Sequence, residues 1–181
     1  FRIWPVPPVW TPPTSSGSQL VRRLAAGGPQ TGVVYGTSLT AGGPWVEQMR
    51  SWLTQNYPGA LTLINSGMSG KGSDTGTNLL DSKVLTFNPD VVFIEFGMND
   101  GEMESAEVQA NLDNIIDRIR AHDPATEIIL QTMNSPWNSP AGSSISLQIR
   151  PNLPDVYEVY RNVAVARGLL LIDHYPNWKA L

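Results

Sequence analysis

The sequence has no cysteine in its 181 residues, which excludes disulfides and thiolate metal sites. Basic residues are scarce as well. Twelve Lys and Arg stand against sixteen Asp and Glu, for a formal net charge of -4 and a pI near 5.1. Binding a phosphate backbone needs a clustered basic surface. Here the cations are spread thinly, so neither nucleic acid nor an anionic membrane is expected as the main partner. No apolar run approaches the roughly 20 residues that cross a bilayer. Histidine occurs only as His122 and His174. The two are far apart in sequence and no His/Asp/Glu cluster has ligand spacing, so no metal and no other cofactor is expected.

What remains is enough for one domain. With 41% hydrophobic side chains, the chain can bury a sizeable core. Residues 1–18 (FRIWPVPPVWTPPTSSGS) are rich in proline and carry no regular apolar period, so they read as an arm or linker. The chain opens on Phe1, which reads as a processed or trimmed product whose signal peptide would already be gone. A proline-rich stretch in that position favours a secreted or periplasmic protein over a cytoplasmic one. The domain itself is expected over 19–181, and no internal repeat is evident.

From about residue 20 two signals alternate. TGVVYG (31–36), LTLINS (61–66), VVFIEFG (91–97), EIILQTMN (127–134) and LLLIDH (169–174) are nearly continuous apolar runs, as in strands covered on both faces. Between them lie helical patterns. Trp45, Met49, Trp52 and Leu53 share one face before Tyr57-Pro58-Gly59, and a shorter helix is predicted near 75–85. Val108, Leu112, Ile115, Ile116 and Ile119 repeat at helical spacing up to Asp123-Pro124; Val156, Tyr160, Val163 and Ala164 do so up to Gly168. Strand–helix alternation with short connections predicts an α/β fold: a five-stranded parallel sheet with helices on both faces. Ligands in such sheets bind beyond the carboxyl ends of the strands.

Three strand ends carry polar, glycine-rich segments. The first is Gly36-Thr37-Ser38-Leu39-Thr40-Ala41-Gly42-Gly43. A serine at a strand-to-helix turn presents its hydroxyl above the sheet, with its own N–H near a helix N-terminus. A plain turn with capping hydroxyls would use the same residues. Thr40 takes the place of the last glycine in a G-x-S-x-G elbow. The second segment, Ser66-Gly67-Met68-Ser69-Gly70-Lys71-Gly72-Ser73, fails both the phosphate-loop and the dinucleotide glycine patterns. The third is Gly97-Met98-Asn99-Asp100-Gly101, whose Asn amide could donate to an oxyanion and whose Asn-Asp-Gly is also ordinary turn chemistry. Asp100, Glu102 and Glu104 read as the solvated start of a helix.

Taken together, the order, spacing and strand context of these segments resemble the SGNH hydrolases, also called GDSL esterases/lipases. Gly36-Thr37-Ser38-Leu39 resembles the block that carries the nucleophile, Asn65 to Gly70 the second block, and Gly97-Met98-Asn99-Asp100 the G-x-N-D block. The likeness runs from about residue 31 to 174. It implies a three-layer α/β/α sandwich of flavodoxin-like type. It also implies Ser38 as catalytic nucleophile, with an oxyanion hole made of the Ser38 N–H, the Gly70 N–H and the Asn99 side chain. Asp100 would brace its loop. One departure is Thr37, which stands where the family usually has aspartate.

The other departure is the base. The family takes it from a D-x-x-H motif close to the C-terminus. His122 closes a helix on the edge opposite the expected site, and His174 adjoins Asp173 in what resembles the fifth strand and its turn. The expectation is that the chain stops at Leu181, short of the D-x-x-H segment; His174 acting through an unusual geometry is the alternative. The resemblance implies a serine ester hydrolase acting on small-molecule or carbohydrate esters. Segment 135–153, long and polar with Trp137, favours a sugar or other polar acyl donor, such as a carbohydrate acetyl ester. The rival readings are a catalytically impaired module that binds a carbohydrate or ester, and a flavodoxin-like nucleotide or flavin domain. Composition and motifs leave the oligomeric state open.

Overall fold

The structure, a computed structural model, describes residues 17–134, 150 and 152–179. Five parallel strands form one sheet in the order β2-β1-β3-β4-β5: β1 (Gln30–Gly36), β2 (Leu61–Asn65), β3 (Val91–Glu95), β4 (Glu127–Gln131) and β5 (Leu170–Ile172). β1 lies between β2 and β3, pairing Val33 with both Ile64 and Val92.

Side chains alternate across the pleat, so each apolar strand feeds two cores. Val33, Tyr35, Val92, Ile94, Ile128 and Leu130 face one side, where α4 (Ser73–Lys83), α6 (Ser105–His122) and α7 (Leu153–Arg167) pack. Val34, Val91, Phe93 and Ile129 face the other, covered by α1 (Gln19–Ala25) and α3 (Trp45–Asn56). The predicted stripes of α6 and α7 lie against the sheet, with Val108, Leu112, Ile115, Ile116 and Ile119 all buried, whereas the face predicted for α3 is turned: Val46 and Leu53 are buried and Trp52 is exposed. Each such buried side chain contributes about 1.5–3 kcal/mol relative to leaving it in water. The result is the predicted three-layer sandwich.

The differences from the sequence reading are local. β3 stops at Glu95 because the Phe96 N–H leaves the ladder to donate to the Tyr160 hydroxyl, at 2.9 Å. Gly97–Asp100 is a single helical turn, α5, where a loop was expected. The helix predicted near 75–85 begins two residues earlier, and a 3-10 turn, Leu85–Phe87, follows it. α1 has no sequence signature because its cap is distant. Glu127, at the start of β4, accepts from the Gln19 and Leu20 N–H groups and from the Ser18 hydroxyl at 2.7–2.9 Å. The arm predicted over 1–18 lies outside the described residues up to residue 16, and segment 135–153 does so except for 150, 152 and 153. Among the described residues no helix is long and apolar enough to cross a membrane.

Candidate active site

The carboxyl ends of β1, β2 and β3 bring the three polar segments side by side. Thr37 caps the one-turn helix α2 (Ser38–Ala41), its Oγ1 accepting from the Leu39 N–H at 3.2 Å. Ser38 is therefore the first residue of a helix, with an exposed side chain between buried Thr37 and half-buried Leu39. A helix leaves its first N–H groups without intrahelical acceptors. The Ser38 N–H also meets no acceptor among the described residues.

The second segment is pinned to the first from two directions. The Met68 N–H donates to the Gly36 carbonyl at 2.8 Å, and Asn65 Nδ2 donates to the Thr40 carbonyl at 2.9 Å. These contacts hold the loop that carries Gly70. Gly70 has φ +70 and nothing near the position a Cβ would occupy, so the residue is exposed and left-handed, a conformation that glycine adopts without strain. Its N–H, too, meets no acceptor among the described residues. Asn99, in α5, donates one amide hydrogen to the Lys71 carbonyl at 2.9 Å, which ties the third segment to the second and leaves the other hydrogen available. Among the described residues, the N–H groups of Ser38 and Gly70 and one amide hydrogen of Asn99 are therefore available as donors.

Two buried acids sit beneath this surface. Glu95, 1% exposed, closes β3 under the Ser38 turn. Its Oε2 accepts from the Thr37 hydroxyl (2.9 Å), the Thr37 N–H (3.2 Å) and the Thr40 hydroxyl (3.0 Å), while Oε1 has no partner among the described residues. Burial pushes its carboxyl up to about 7 against the pull of the Thr37 and Thr40 bonds, with Asp100 adding to the rise. Asp100 is fully buried and accepts from the Ser73 N–H at 2.8 Å through Oδ1; Oδ2 has no partner among the described residues. Burial raises it to about 7 as well, opposed by the bonds from Ser73. The acidic group after β3 is therefore not one solvated helix start. Asp100 braces the second segment from below, and Glu102 instead pairs with Arg150. Glu95 escaped sequence reasoning, although an acid ending an otherwise apolar run, VVFIEF, was a signal that it needed partners.

The histidines fall apart from Ser38. His122 ends α6 on the opposite edge, where Nε2 lies 2.9 Å from the Asn88 amide oxygen. His174 is on the carboxyl edge and half-buried, and burial lowers its pKa, favouring the neutral ring. Its Nε2 accepts from the Gln131 amide at 3.3 Å. Adjacent Asp173 is committed elsewhere, bonded to Thr132 Oγ1 at 2.6 Å and to Arg161 at 2.8 Å. Among the described residues neither histidine bonds Ser38. His174 opens onto a cleft of about 570 Å3 whose walls include Trp45, Met49, Trp52 and Ile172, with Gln48, Gln131 and Asn134 as the amide groups. The Trp45 indole N–H donates to the Leu39 carbonyl at 2.8 Å, joining that wall to the Ser38 turn. Among the described residues no group of three or more His, Asp or Glu could hold a metal ion.

With this geometry in view, likeness to known proteins can be stated. The GDSL-like Lipase/Acylhydrolase family profile matches residues 34–181. No curated protein sequence matches. Among solved structures, a two-domain esterase (CEX) active on acetylated mannans is 20% identical, with TM-score 0.68, over 86% of this chain and 40% of that one. TesA is 26% identical with TM-score 0.63, over 78% of this chain and 77% of its own. The lipase/acylhydrolase from Enterococcus faecalis is 24% identical with TM-score 0.65, over 83% and 77%. The chain spans about 40% of the length of the two-domain esterase and 77% of the other two.

Proposed function

The chain belongs to the GDSL-like Lipase/Acylhydrolase family, and from that premise we propose that it is a carboxylic ester hydrolase working through an acyl-serine intermediate on Ser38. The observation that carries this is the pair of N–H groups, of Ser38 and Gly70, that meet no acceptor among the described residues, in loops that hydrogen bonds hold together. Ser38 Oγ attacks the ester carbonyl carbon, and the carbonyl oxygen takes the negative charge. The N–H groups of Ser38 and Gly70 and the Asn99 amide donate to that oxygen. Loss of the alcohol leaves the acyl group on Ser38, and water releases it as the acid. A base must take the serine proton in the first step. Among the described residues neither histidine bonds Ser38, and Nε2 of His174 is engaged by Gln131.

For the substrate, the proposal is an acetylated sugar. Indole faces flanked by amide groups, as in the cleft beside the Ser38 turn, suit the apolar face and hydroxyls of a sugar ring. The solved two-domain esterase active on acetylated mannans supports the same choice. A hydrolase-fold module that binds an ester without turnover is the second reading, favoured by the absence of a histidine bonded to Ser38 among the described residues.

A fluorophosphonate probe tests the mechanism: it is expected to label the full-length protein at Ser38, and Ser38→Ala to abolish labelling. An unlabelled full-length protein would establish the binding module instead. Faster turnover of acetylated mannooligosaccharides than of p-nitrophenyl octanoate supports the sugar ester; the reverse order assigns the cleft to an acyl chain.

A further inference from the structure

We propose that Glu95 is the positioning residue of the nucleophile turn, and that Thr37 and Glu95 form a matched pair in which a carboxyl from β3 does the work of one within the turn. The inference rests on Ser38 being the nucleophile. Every other polar side chain of Gly36-Thr37-Ser38-Leu39-Thr40 is aimed at this one acid, from both sides of the serine. The Thr37 hydroxyl donates to Oε2, which leaves its lone pair to accept from the Leu39 N–H at 3.2 Å. One carboxyl oxygen thereby fixes the residue before Ser38, through Thr37 the residue after it, and through Thr40 the next. Only the serine side chain is left exposed among them.

The strand comes close enough for this only because residue 36 is glycine. A Cβ there would lie 2.3 Å from the Glu95 carbonyl oxygen, 2.6 Å from Thr40 Oγ1 and 2.9 Å from Glu95 Oε2. The arrangement is also a poor one for stability alone. A buried carboxyl with Oε1 unpartnered is destabilising, and an apolar residue would serve a core better. Aspartate in place of Thr37 would set a second carboxyl against Glu95, and the two could not both ionise.

The test is a double-substitution cycle on the full-length protein, read as kcat and KM for p-nitrophenyl acetate and as the rate of fluorophosphonate labelling. Glu95→Gln keeps the shape and is expected to lower kcat by about 10-fold or more with KM within about 2-fold, since the nucleophile is misplaced rather than the substrate lost. Thr37→Asp alone is expected to lower kcat further at pH 8 than at pH 5, and the pair Thr37→Asp with Glu95→Gln to recover most of the loss. A purely structural Glu95 would lower the yield of folded protein without moving kcat of the folded fraction, and without that recovery. If Glu95→Gln does not fold, Thr40→Val removes one bond to the acid and should still depress kcat with KM unchanged. Wild-type kcat and labelling rate in Glu95→Gln or Thr40→Val overturn the proposal while leaving Ser38 as nucleophile. Absence of Ser38 labelling in the wild type overturns the hydrolase reading itself.

Discussion

Two buried acids hold two neighbouring parts of the site, and they hold different things. Glu95 collects the Thr37 and Thr40 hydroxyls, on either side of Ser38, together with the Thr37 N–H, whereas Asp100 takes the N–H of Ser73, at the end of the Gly70 segment. Both are buried, both have one oxygen without a partner among the described residues, and both are raised to about 7. The contrast teaches that burial alone does not assign a role; the partners do. One acid holds the turn on both sides of Ser38, and the other holds the end of the segment that carries Gly70.

The comparison can be broken in several places. The largest expected effect is on a donor that neither acid holds, since Asn99 is tied to the Lys71 carbonyl: Asn99→Ala should lower kcat by about 10²–10³-fold with KM little changed, the cost of removing one oxyanion donor. Steady-state kinetics read this directly, and an unchanged kcat would take Asn99 out of the oxyanion site. Next, Asp100→Ala leaves the buried Ser73 N–H without its acceptor. It should cost about 1–3 kcal/mol of stability in urea denaturation, with a smaller fall in kcat than Glu95→Gln produces. A larger fall in kcat than in Glu95→Gln would reverse the two roles.

A third expectation concerns what the acids share. The folded protein holds the Glu95 proton more tightly than the unfolded chain does, about 7 against 4.5. Its contribution to stability is therefore full below about 4.5 and is lost as the pH rises through about 7. The groups that face it are Thr37 and Thr40 from the turn, Asp100 from α5, and Tyr157 and Tyr160 from α7. Glu95→Gln has no proton to lose. Its stability relative to wild type should rise by on the order of 1–3 kcal/mol between pH 5 and pH 8, in paired urea melts. Asp100→Asn should show the same sign, and a flat difference for either would mean that acid stays ionised in the fold. Smallest is Gly70→Ala, which should cost about 1 kcal/mol through its positive φ, at a position with open space for the methyl group.

How far the molecule was legible from its residues depends on distance along the chain. The five strands and the long helices α6 and α7 stood out because period, apolar runs and stop residues are local properties. Even the trimmed ends have local exceptions with distant causes: β3 ends early because Tyr160, 64 residues on, captures the Phe96 N–H. The one-turn helices α2 and α5 were invisible for a related reason, since four residues carry too little period to register. Thr37 was readable as a departure from the family's aspartate, but its compensation was not, because Glu95 lies 58 residues away. The acidic group after β3 misled in the opposite direction: its composition suggested a solvated helix start, and the fold buried Asp100.

By itself, then, the order of apolar runs and glycine-rich breaks determined the parallel sheet, the edge on which Ser38, Gly70 and Asn99 lie, and the family they belong to. Only the tertiary structure decided which N–H groups stay unengaged among the described residues, which histidine nitrogen is occupied, and that a glutamate closing β3 takes the hydroxyls on either side of Ser38. Periodicity is written in neighbouring residues. Hydrogen-bond partnership is settled only when segments far apart in the chain compete for the same few donors inside a core without water to satisfy the losers.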